Sequence, residues 1–197
     1  MYFRRDFGQM EKLAQEGDVR AQAWMGLIMQ QAKRRSEAKE WWQRAAEKGH
    51  AWAIDSLAMM YLMDKEDEKA AYWYRRGADL GLAGSQSRLA GLLLQGRGVP
   101  RNEQEAVRWY KAAAAQAYRY AYYPLAELHA SGTGTNRDLI EAYALAEITE
   151  AILDPSETHK AQALKLKIAH ELSPEQIARA VERAREIQAE VFPRRGP

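Results

Sequence analysis

The side chains most able to do chemistry are four histidines, His50, His129, His159 and His170, and they are spread along the chain. A zinc site takes imidazoles that converge from one face, as His-x-x-x-His does on a helix. No such pair occurs, so each histidine reads as a surface residue, except His129. That residue stands where Tyr61 stands in an earlier repeat and is expected to pack. Gly96-Arg97-Gly98 is no phosphate loop: it lacks a preceding strand, a third glycine and a following Gly-Lys-Ser/Thr. Asp64, Glu66, Asp67 and Glu68 lack EF-hand spacing and its central glycine, which leaves a solvated turn. No Gly-x-Ser-x-Gly elbow is present and there are no cysteines. The expectation is a chain with no catalytic, cofactor or metal site, and not an enzyme.

Charge is nearly balanced, with 29 Lys+Arg against 27 Asp+Glu and a formal net charge of +2 over 197 residues. That argues against an electropositive face for a phosphate backbone, so nucleic acid is not the expected partner. No run approaches the ~18 apolar residues of a membrane span. The charged start, Met1 to Asp6, is unlike a signal peptide, so the expected location is cytoplasmic, or periplasmic if Met1 is not the native start.

Positioning elements emerge from self-comparison. Ala-x-x-Trp occurs at Ala38/Trp41, Ala70/Trp73 and Ala106/Trp109, with Ala142/Leu145 as a degenerate copy, at spacings of 32, 36 and 36 residues. A small residue followed by a large-small pair precedes each: Ala21/Met25/Gly26, Ala53/Leu57/Ala58, Ser85/Leu89/Ala90 and Ala121/Leu125/Ala126. Such periods mark helix-hairpin repeats. The longer units carry Gly96-x-Gly98 and Gly132-x-Gly134 between their helices. The shorter ones should turn through Arg34-Arg35-Ser36 and Asp64-Lys65-Glu66-Asp67. Gly17, Gly49 and Gly81 suit left-handed C-terminal caps, and Ala117 replaces them at the fourth boundary. Trp41, Trp73 and Trp109 are expected as a ladder of core wedges.

Ala53 to Tyr61 (Ala-x-x-x-Leu-Ala-x-x-Tyr), Gly96 to Val99 (Gly-x-Gly-Val) and Ala106 to Ala114 resemble the Sel-1-like repeat, a relative of tetratricopeptide repeats, over roughly residues 18–151. The first two turns, Pro124 and Leu145 depart from the pattern. The resemblance implies an all-α, right-handed α-solenoid of about four repeats. It also implies adaptor or scaffold roles and, in bacteria, immunity proteins that neutralise secreted toxins such as type VI phospholipase effectors. The expected organisation is a single domain over residues 1–197. It comprises an N-terminal capping half-repeat (5–17), repeats at 18–49, 50–81, 82–117 and 118–151, a two-helix cap at 156–192 and a tail at 193–197. A helix from Glu157 to Glu171 and one from Ser173 to about Val191 make the cap, the second opened by a Ser173/Gln176 capping box. The tail is expected to fray, with a basic docking peptide as its alternative.

First helices of a curved hairpin array line the concave side. Subtracting core positions leaves Trp52, Asp55, Met59 and Leu62 or Met63 on the second. Register then adds Arg20, Ala23 and Leu27, then Gly84, Ser87 and Gly91, then Tyr120, Tyr123 and Glu127. The candidate partner-binding residues are Arg20, Trp52, Asp55, Met59, Ser87, Tyr120, Tyr123 and Glu127. Trp52 and Tyr120 are open to two readings, groove or packing. The expected function is non-enzymatic capture of another protein by a monomer or weak homo-oligomer. The alternative is a small ligand-binding or enzymatic use of the concavity.

Overall fold

The computed structural model describes residues 2–192, with side chains from Phe7 onward; the tail at 193–197 and its docking alternative lie outside the described residues. Among the described residues every regular element is helical. Two compact units form.

The first unit contains α1 (Tyr2–Gln15), α2 (Val19–Gln31), α3 (Arg35–Glu47), α4 (Ala51–Met63) and α5 (Asp67–Asp79), the start of the next helix as far as Ser85, and Arg97–Val99. α2 pairs with α3 and α4 with α5 as hairpins, and α1 packs on α2. α3 buries Ala38, Trp42, Ala45 and Ala46, an i, i+4, i+7, i+8 stripe that small residues keep narrow. The expected small-large-small positions of α2 and α4 (Ala21, Met25, Gly26, Ala53, Leu57 and Ala58) are all buried. Gly17, Gly49 and Gly81 have the positive φ expected of C-terminal caps.

Two expectations need correction here. The first turn runs through Ala32, Lys33 and Arg34, with Lys33 at φ +60°, so Arg35 and Ser36 already belong to α3. The core wedge of α3 is Trp42, only 1% exposed, while Trp41 is half-buried under the Arg44 guanidinium, 4.5 Å from its ring. α5 buries Trp73 and also Tyr74 beside it. The acidic turn is an ion-pair network across hairpins: Asp64 meets Arg35 and Lys39, Glu66 meets Lys39 and Lys69, and Asp67 meets Arg97.

The second unit begins at Gln86 within α6 (Ala83–Gln95) and, from Pro100 on, holds α7 (Glu103–Ala114), α8 (Tyr122–Ser131), α9 (Leu139–Ile152), α10 (His159–Ala169) and α11 (Pro174–Val191). Here α7 buries Tyr110 and leaves Trp109 half-exposed, its Nε1 donating to Glu105 at 3.1 Å, so Trp109 is not the wedge. A 3-10 turn at Arg119–Ala121 leads into α8, which lets Pro124 occupy the first helical turn, where no intrahelical N–H is required. Ala117 takes the left-handed cap at φ +59°.

α9 packs against α8, α10 and α11. Lys165 bridges Glu147 and Glu150 at 2.7 Å each, and Arg183 reaches Glu141 at 2.9 Å, which pins both terminal helices to α9. The capping box of Ser173 and Gln176 forms as expected. α10 begins only at His159, because Pro155–Glu157 is a 3-10 turn.

Candidate functional site

Charge is partitioned between helix types. α3 and α5 each carry six charged side chains, whereas α2 carries only Arg20 and α4 only Asp55. What α4 shows to solvent is therefore largely apolar, and α2 adds the exposed Trp24 between Arg20 and the terminal Gln30 and Gln31. Trp24 is 52% exposed and Trp52 39%, with ring centroids 5.8 Å apart in an edge-to-face arrangement. Trp52 also lies edge-on to the buried Trp42, at 6.3 Å, and to His50, at 6.5 Å. The exposed pair is thus rooted in the core, so its contact area is held without further ordering of the side chains.

Each element supplies a reason for this placement. His50 is the N-cap of α4 and accepts from the Ala53 N–H, fixing where the helix starts and hence where Trp52 points. Trp42 donates its Nε1 proton to the Ala23 carbonyl at 3.1 Å. Gly26 makes room for that indole, since a Cβ there would lie 2.3 Å from the ring. Buried Ser85 donates to Asp55 at 2.7 Å, and Gly77 accommodates Ser85 in turn.

Among the expected residues of the first unit, Arg20 is exposed on α2, Trp52 is exposed on α4, and Asp55 and Met59 are half-buried on α4. Ala23, placed in the groove by register, is in the core at 1% exposure. Trp24 was not singled out by the sequence: the corresponding position is Ser56 in the next repeat, so a search for repeated aromatics passes over it. Its signal was local, four residues after Arg20 on one helical face.

In the second unit Ser87 is half-buried on α6, and Tyr120 is 43% exposed in the 3-10 turn, with Tyr118 5.8 Å away and Arg119 over its ring at 4.9 Å. Tyr123, half-buried, donates to the exposed Glu127 at 2.7 Å. Burial, the hydrogen bond and the carboxylate's charge all raise the Tyr123 phenol well above its ordinary range. Tyr122 beside it is buried, donates to the Ala114 carbonyl at 2.8 Å, and is pushed up to about 12 by burial. Among the described residues no group of three or more His, Asp or Glu side chains is placed to hold a metal ion, and no helix is long and apolar enough to cross a membrane.

Paired helices, phased repeats and an exposed aromatic surface on one helix type define a helix-hairpin repeat protein. A Sel1 repeat model matches residues 19–50, 56–82, 83–118 and 119–148, more than half of the chain, and the chain belongs to the Sel1 repeat family. The fold is accordingly an all-α Sel1-type solenoid, a repeat class that generally mediates protein–protein interaction. No curated protein matches the sequence. Among solved structures, a protective antigen present in uropathogenic Escherichia coli strains, displaying an SLR fold, superposes with a TM-score of 0.84 at 26% identity over 95% of this chain. The chain spans 41% of that protein's length. A Sel1 repeat protein from Oxalobacter formigenes gives a TM-score of 0.76 at 24% identity, covering 91% of this chain and 77% of the other.

Proposed function

We propose that this protein is a non-enzymatic interaction module that captures a protein partner on the exposed face of its first helices, with Trp24 and Trp52 as the anchoring contacts. The single observation behind this is the edge-to-face pair of exposed indoles, standing on two helices with one charge each and backed by buried Trp42. Indoles held in this way combine large contact area with little entropy to lose, the character of interface hot spots. Met59 and Met63 beside Trp52 on α4 add adaptable apolar surface. Arg20 and Asp55 border it with opposite charges.

The test is capture of the partner from native cells by tagged wild type and by a Trp24→Ala/Trp52→Ala variant, with melting temperatures measured on both. Loss of the captured protein with the fold retained, at a melting temperature somewhat lowered because Trp52 also packs on Trp42, is the expected result; retention of binding refutes the assignment. The narrower roles expected from the sequence differ in what is captured. A stoichiometric complex with a secreted toxin, abolishing its activity, selects an immunity protein, and a complex that joins two cellular proteins selects an adaptor.

A further inference from the structure

Among the described residues His129 is the one histidine in the core. It is 7% exposed on α8, at the register occupied by Met29, Tyr61 and Leu93 in the other repeats, all of which are buried. Its Nδ1 has no hydrogen-bond partner. The helices packed on α8 bring charges of both signs: Lys111 from α7, and Asp138 and Glu141 from the start of α9. α10 brings Lys167, and the turn after it Glu171, to a neighbouring cleft shared with Glu127, Ser131 and Arg137, whose guanidinium pairs with Glu171, and the 3-10 turn brings Arg119, which stacks on Tyr120.

We propose that this buried imidazole, whose Nδ1 has no partner, makes the fourth hairpin acid-labile, so that α8 loosens as the pH falls from about 7.5 to about 5.5 while the first unit holds. Desolvation and the Lys111 charge outweigh Glu141 and Asp138 and hold the imidazole below its ordinary 6.5. An unfolded histidine binds a proton at that ordinary value. The stabilisation is therefore complete above about 6.5 and is lost as the pH drops toward the folded value, the unfolding constant rising up to about tenfold per unit. Tyr123 and Glu127 ride on the same helix, so a partner held there would be released in acid. That consequence rests on reading the α8 face as part of the partner surface, whereas the lability itself is measured with no partner present.

Hydrogen exchange of the full chain at pH 7.5 and 5.5, corrected for intrinsic rates, reads the effect locally. Amides of α8 and α9 should lose protection in acid while those of α2 to α5 keep theirs. His129→Met, which installs the residue found at Met29, should abolish the loss, and His129→Leu, which installs the residue found at Leu93, serves as a second variant. Equal loss in a folded variant overturns the proposal, because the lability would then not depend on the imidazole of His129. Titration of the His129 ring protons by NMR in the native protein is an independent measurement. A folded-state midpoint at or above the ordinary value would also sink it, whichever variants fold.

Discussion

At Trp42 the indole is fully enclosed, its Nε1 bonded to the Ala23 carbonyl, while adjacent Trp41 lies half-exposed beneath Arg44. One residue is a rotation of about 100° on a helix, enough to move a side chain from the centre of a buried stripe to its edge. Trp42→Ala should therefore cost about 3–5 kcal/mol by opening a cavity, and Trp41→Ala about 1 kcal/mol or less, as read by urea denaturation. Similar costs for the two would contradict this division. The same logic separates Trp24, whose removal should spare stability and weaken binding, from the core aromatics that its exposed position resembles in composition alone.

Among the turns, Gly96 and Gly98 both have positive φ, but only Gly98 is in close approach to another chain segment: a Cβ there would lie 2.1 Å from the Asp67 carbonyl oxygen at the start of α5. Gly134 meets Glu103 in the same way, at 2.4 Å. Gly98→Ala should cost at least about 2 kcal/mol, from overlap added to backbone strain, and Gly96→Ala only about 1 kcal/mol. At the fourth boundary Ala117 already bears left-handed strain. Ala117→Gly should accordingly raise the chemical-denaturation midpoint, by about 0.5 kcal/mol of stability. The acidic turn also loses stability in acid, over a lower pH range than an imidazole. Hydrogen bonds from Lys39 to Asp64, and from Lys69 and Lys39 to Glu66, hold both carboxyls below their ordinary values of 3.8 and 4.5. Their contribution is intact above those values and is lost as the pH falls through the lower folded ones, so Lys39→Met should flatten the melting-temperature profile below about pH 4.5.

For the molecule as a whole, the proposed partner surface leaves self-association unnecessary, and light scattering should return a single-chain mass near 22.5 kDa. A stable dimer would direct attention to the exposed indoles as a contact between copies. Repeat number, phase, the switch from tight to glycine-bearing turns, the Ser173/Gln176 capping box and the packing of His129 were legible in the residues alone. Each is set by local chemistry: a small residue where helices approach, paired glycines where a longer turn needs positive φ, a Ser-Gln box where a helix starts. Which of two adjacent aromatics is buried was decided only by the tertiary structure, because the buried arc of a helix is defined by its neighbours. The same holds for pairings some thirty residues apart, such as Trp24 with Trp52, Ser85 with Asp55, and Asp67 with Arg97. These join side chains on different hairpins, and no periodicity along one helix records the distance between two.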